Sequence, residues 1–248
     1  IGSRREQNPV AMYCVLVFAL PQFDMQISGF GVVNYLFELN HPRMLALVLL
    51  LPAAWRLAGR PKAPAPQLLI PDLLMATYFG YVFVVNATAD SVTGLRRSAV
   101  YITLDHLLLY YVVTRSVLDQ RRLLDVLASF AMGVGIVGAV GAFETMRNWL
   151  VYESLRTPLG VPMADMGTYL LRATEDGGYL RAYVTMGHAI ALGFSSAIAV
   201  SWQLALARSY RPKALGVVVM LLPVVGLLAS VSRGPWLGCT IALVLGLI

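Results

Sequence analysis

The chain has 248 residues, of which 58% are hydrophobic and only 13% charged, and its mean hydropathy is +0.70. A soluble domain of this length does not need so much apolar material for its core, so composition excludes that class and predicts an all-α, polytopic transmembrane helical bundle with the lipid bilayer as its surroundings. The formal net charge of +6 comes from short basic clusters between apolar runs; it reads as a topology signal, and no nucleic acid is needed as a partner.

A bilayer crossing takes about 20 mostly apolar residues. Candidate spans fall near 9–28, 42–58, 68–88, 98–116, 123–143, 187–207, 214–230 and from 235 onward, which makes seven to eight in a single transmembrane domain over residues 1–248. The first is interrupted by Pro21, Gln22, Asp24 and Gln26, whereas "RLAGRPKAPAPQ", "TRSVLDQRR" and "ARSYRPK" bound the others firmly. Residues 144–182 form a polar outer-face loop within the domain. The chain starts at Ile1 and stops inside an apolar run, so the sequence reads as an incomplete piece of a longer protein, truncated at its C-terminal side. Cys14 and Cys239 lie in separate apolar runs without Cys/His spacing, so neither a disulfide framework nor a metal site is expected, and no cofactor is implied.

Orientation follows from alternate loops. Arg4, Arg5, Arg56, Arg60, Lys62, Arg115, Arg121, Arg122, Arg208, Arg211 and Lys213 fall on one side, 11 of the 19 cations, and this side is expected to be cytoplasmic together with the N-terminus. The other side carries Arg43, Arg96, Arg97, Arg147, Arg156, Arg172, Arg181 and Arg233, all arginines, balanced by eight acids: Asp24, Glu38, Asp90, Glu144, Glu153, Asp165, Glu175 and Asp176. Arginine keeps its charge and binds a phosphate through two parallel N–H bonds, which suits a fixed oxyanion site. Arg181 in "GGYLRAYVTMGHAIALG" and Arg233 in "ASVSRGPWLG" stand out, because glycine, serine and proline neighbours indicate a shaped backbone at a membrane face. Arg96 and Arg97 are further candidates, with headgroup anchoring as their ordinary alternative.

Other signals carry less. "GVGIVG" at 133–138 matches a dinucleotide pattern but lies inside an apolar span, where Gly135, Gly138 and Gly141 let another helix approach. Asp105 and His106 fall within the fourth span, a costly place for ionisable groups that marks either a polar contact inside the bundle or a substrate cleft. Glu175 and Asp176 lie near Arg181 and serve either as its ion-pair partners or as a general base.

"SVSRGPWLG" resembles the S-R-G motif of the O-antigen ligase and O-antigen polymerase superfamily, polytopic enzymes of the bacterial inner membrane. "YLRAYVTMGHAIALG" resembles that family's second motif, with His188 present but Ala189 and Ile190 where the family often has proline and asparagine. The resemblance covers residues from about 68 to the end. It implies a glycosyltransferase that moves a glycan from an undecaprenyl-pyrophosphate carrier to an acceptor glycan, lipid or protein on the periplasmic face. It further implies that Arg181 and Arg233 are the catalytic, pyrophosphate-binding residues and that the general base lies beyond residue 248; Ser232 and His188, within the same two motifs, are expected at the substrate site. The chemistry is consistent with those parts: displacing pyrophosphate builds charge on the leaving oxygens, which preorganised cations stabilise. The alternative class is a secondary transporter or flippase for an anionic or lipid-linked substrate that uses the same arginines.

Overall fold

Asn8 and two prolines define the first helix. The Asn8 side chain accepts from the amides of Val10 and Ala11, and Pro9 takes the first helical position, where a missing N–H leaves no bond unmade. At the other end Leu20 precedes Pro21, whose ring disfavours the helical region for its neighbour; Leu20 is extended at φ −87°, ψ 136°. Helix α1 therefore covers Pro9–Ala19. The computed structural model describes residues 8–21, 23–29, 35–59, 69–89, 92–152, 171–172, 179–206 and 213–247. They are predominantly helical, in line with composition, and divide into two compact units: residues 24–120, and residues 1–23 with 121–248.

The 24–120 unit opens with a hairpin, β1 (Asp24–Ser28) antiparallel to β2 (Tyr35–Asn40), where the first candidate span was expected to continue to residue 28. Helices α2 (His41–Leu45) and α3 (Leu51–Ala58) are joined without a break by a π-helical turn, Ala46–Leu50. Helix α4 is Leu69–Ala89, and α5 (Val92–Ile102) runs into α6 (Leu108–Ser116) through a second π-helical turn, Thr103–Leu107. The two π-helical turns pack together, and an ion pair ties their helices. Arg43 Nε donates to Asp105 Oδ1 at 3.0 Å and Nη2 to Oδ2 at 2.9 Å, while the guanidinium lies 3.7 Å over the Tyr101 ring. Near the start of α4, Asp72 accepts from Arg115 at 2.7 Å and from the Tyr110 hydroxyl at 2.8 Å, linking α4 to α6.

In the other unit, α7 (Gln120–Arg147) is the spine. The same unit holds α1, the two-residue strands β3 (Leu171–Arg172) and β4 (Tyr179–Leu180), α8 (Ala189–Leu206), α9 (Lys213–Ala229) and α10 (Arg233–Leu247), the last packing on α8 and α9. Phe18, Val134, Val137, Val184, Leu192 and Ala229 share one buried cluster. Glycine sets the closest crossing: a Cβ at Gly138 would stand 2.7 Å from the Leu222 carbonyl oxygen and 3.1 Å from Gly226 Cα, so α7 and α9 meet backbone to backbone.

Among the described residues, two helices are long and apolar enough to cross a membrane, with qualifying stretches Ile70–Ala87 and Gln120–Arg147. Pro9–Ala19, Ala189–Leu204 and Gly216–Ala229 are shorter apolar helices. Hydropathy gives seven to eight candidate spans. Pro21 ends the first helix early and π-helical turns divide the second and fourth candidates into shorter α-helical pieces, whereas α9 matches the seventh candidate, 214–230, within one residue.

Candidate functional site

The α9–α10 turn is built from Ser230, Val231 and Ser232. The amides of Ser230 and Val231 close back onto the carbonyls of Gly226 and Leu228, and Val231 takes φ +45°, a conformation that is costly for a β-branched residue. Ser232 then leads into α10, and its hydroxyl donates to the Ser230 carbonyl at 2.9 Å. Pro235 is fully buried in the first turn of α10 and sits over Gly193 of α8, where a Cβ would approach Pro235 Cγ to 2.7 Å. A side chain at 193 would push the turn away from α8.

Residues 180–184 run alongside this turn with alternate amides engaged. Leu180 N–H donates to Asn148 Oδ1 at 3.3 Å, Ala182 N–H to the Ala229 carbonyl at 3.1 Å, and Val184 N–H to Glu144 Oε2 at 3.2 Å. The half-buried Arg181 side chain reaches the turn: Nη2 donates to Ser232 Oγ at 2.7 Å, and Nε to the Ser230 carbonyl at 3.5 Å. The short contact is a charge-assisted bond, about twice as strong as a neutral one. Ser232 thus accepts from Arg181 while donating to Ser230, which fixes the direction of the guanidinium. Arg233, the next residue, opens α10 with its side chain exposed. Its neighbouring helix N-terminus adds the positive end of a backbone dipole.

Glu144 was not singled out by sequence reasoning, yet it organises this region. It is 1% exposed, its Oε1 accepts from Val151 N–H at 3.1 Å and its Oε2 from Val184 N–H, and the Tyr183 amide also faces the carboxylate. Next to it, the Thr145 hydroxyl donates to the same Ala229 carbonyl that receives Ala182 N–H. Burial, and then the nearby Glu144 charge, pushes the Tyr152 phenol above its ordinary range, so its proton stays in place. The signal for Glu144 was one of phase: with Val134, Val137, Gly138 and Gly141 it continues the buried stripe of α7.

Among the described residues, the non-glycine positions with positive φ are Asn148, Val184 and Val231, and all three belong to the segments just described. At the β-branched Val184 and Val231 such backbone strain costs on the order of 1–3 kcal/mol per residue and persists where surrounding contacts over-determine it.

The remaining candidates are placed differently. His188 stands just before α8, its carbonyl accepting from Leu192 N–H and its side chain exposed. Asp105 is taken by Arg43, and Arg97 lies 3.5 Å over the Tyr35 ring with Nη2 donating to the Tyr35 carbonyl. Arg96 is exposed. Asp105, Arg96 and Arg97 all belong to the 24–120 unit. Glu175 and Asp176 lie outside the described residues. Among those described, no group of three or more His, Cys, Asp or Glu side chains could hold a metal ion. Comparison with protein-family models, with curated proteins and with solved structures returned no match.

Proposed function

We propose that this chain is the donor-binding part of a bacterial inner-membrane glycosyltransferase of the O-antigen ligase or polymerase type. It moves a glycan from an undecaprenyl-pyrophosphate carrier to an acceptor on the periplasmic face, with Arg181 and Arg233 holding the pyrophosphate. The single observation that carries this is the bond from Arg181 to Ser232, which joins the two motifs of the sequence resemblance and holds the Arg181 guanidinium at the turn from which Arg233 follows. In the reaction the acceptor hydroxyl attacks the sugar carbon and gives up its proton to a general base, the carbon–oxygen bond to pyrophosphate breaks, and the leaving oxygens gain charge. Two guanidinium groups, one of them already oriented, stabilise that charge without reorganising.

In the same reading the chain crosses the bilayer seven to eight times, with its N-terminus in the cytoplasm. Supporting this, Ile70, Leu73, Leu74, Tyr81 and Val84 of α4 are all exposed, as befits a helix facing hydrocarbon. The helical runs 41–58 and 92–116 stay continuous through their π-helical turns, which keeps them long enough to cross. The test is glycan transfer in cells by the full-length protein: Arg181→Ala and Arg233→Ala should each abolish transfer at normal membrane levels, and transfer retained in both would refute the proposal.

A further inference from the structure

We infer that Glu144, assisted by Asn148, is the positioning element for Arg181: a buried carboxylate that presents a cation without touching the ligand. The inference rests on the pyrophosphate reading of Arg181 but concerns a residue that neither the sequence motifs nor the proposed chemistry assigns. Glu144 holds the amides of Val151 and Val184 with separate oxygens, and Asn148 holds the amide of Leu180. The stretch 180–184 that carries Arg181 is therefore gripped at its two ends by the side chains of Asn148, just beyond α7, and Glu144 of its last turn, with Ala182 N–H held between them by the Ala229 carbonyl. A neutral amide could not satisfy both amides, since only one of its two terminal atoms accepts. One gripping point involves strained backbone, Val184 at φ +50°, while Asn148 at φ +49° takes a left-handed conformation that asparagine tolerates. Without the clamp Val184 has an easier conformation available, and Arg181 would lose its register against Ser232. Carboxylate buried at 1% exposure is expensive, and two backbone bonds to different segments are what retain it.

The test uses full-length protein and undecaprenyl pyrophosphate as the probe, in a double-mutant cycle with hydrogen exchange as a second readout. Glu144→Gln should weaken binding by roughly tenfold to a hundredfold, the scale of a small misplacement of a binding group. In an Arg181→Ala background the same change should have no further effect. Peptides covering 180–186 should exchange faster in Glu144→Gln while those of α8 and α9 are unchanged. If Glu144→Gln costs as much with Arg181 absent as with it present, or if exchange rises across the whole unit, the positioning role is overturned. Should Glu144→Gln fail to fold, Asn148→Gly removes the acceptor for Leu180 without straining φ, and must loosen 180–184 and weaken binding for the clamp to stand. If Arg181→Ala itself binds like wild type, the pyrophosphate reading falls. The exchange data then decide separately whether Glu144 holds the segment.

Discussion

Arg181 Nη2 and Ser232 Oγ lie 2.7 Å apart although 51 residues separate them in the chain. Ser232 is 3% exposed and hands its own proton to the Ser230 carbonyl, so the serine is committed to a single orientation and Arg181 is aimed by it. Ser232→Ala removes the shorter of the two bonds that tie the guanidinium to this turn, leaving the 3.5 Å one to the Ser230 carbonyl. A hydrogen bond to a charged group is worth about 1.5–3 kcal/mol, so transfer at matched protein level should fall by roughly ten- to a hundredfold. Unchanged transfer would mean that the contact does not orient Arg181 for its task.

Gly138 is required by contact. A Cβ there would lie within 2.7 Å of a backbone oxygen that cannot move aside, whereas one at Gly238 meets nothing within 4 Å. Gly138→Ala should therefore destabilise the 1–23/121–248 unit by about 1–3 kcal/mol through overpacking. Gly238→Ala should be neutral or stabilising by up to about 1 kcal/mol, from helix propensity alone. Thermal unfolding in detergent separates the two, and equal effects would argue against the α7–α9 crossing.

Asp105 serves a structural pair. Its side chain is 28% exposed and that of Arg43 is 12% exposed, and the guanidinium bonds the carboxylate through both Nε and Nη2 besides donating to the Glu38 carbonyl at 2.9 Å. Asp105→Asn should lower the unfolding midpoint, at a cost of about 1–3 kcal/mol for a partly desolvated pair. Affinity for undecaprenyl pyrophosphate should be preserved in the protein that remains folded. Loss of affinity with an unchanged midpoint would instead assign Asp105 to the substrate.

Val231 at φ +45° carries strain that asparagine tolerates. Val231→Asn should raise stability by about 1 kcal/mol, measured as a shift of the unfolding midpoint. A drop would mean that packing of the valine outweighs the backbone term.

What the sequence made legible follows from the nature of each signal. Helix content, the interruption after Pro21 and the close approach at Gly138 were readable because hydropathy, proline sterics and missing side chains act locally. The joining of Arg181 to the S-R-G turn was anticipated only as a shared membrane face, not as a bond. The β1–β2 hairpin was hidden because residues 24–28 had been absorbed into an apolar run, although "YLFELN" alternates as a strand does. The π-helical turns at 46–50 and 103–107 left no sequence mark, since a widened turn depends on what packs against it. Glu144 was counted among the acids balancing the outer cations. Its true setting shows only when its phase is followed from Val134 through Gly141, because burial is a property of the helix face and not of the residue type.

The most direct measurement is equilibrium binding of undecaprenyl pyrophosphate to the purified full-length protein, with undecaprenyl monophosphate as comparison, for wild type, Arg181→Ala and Arg233→Ala. Wild type should prefer the pyrophosphate, and each substitution should lower its affinity by at least roughly tenfold, the scale of one charge-assisted contact, and erase the preference. Binding of the pyrophosphate carrier that is the same in all three proteins would contradict the assignment of Arg181 and Arg233 to the donor.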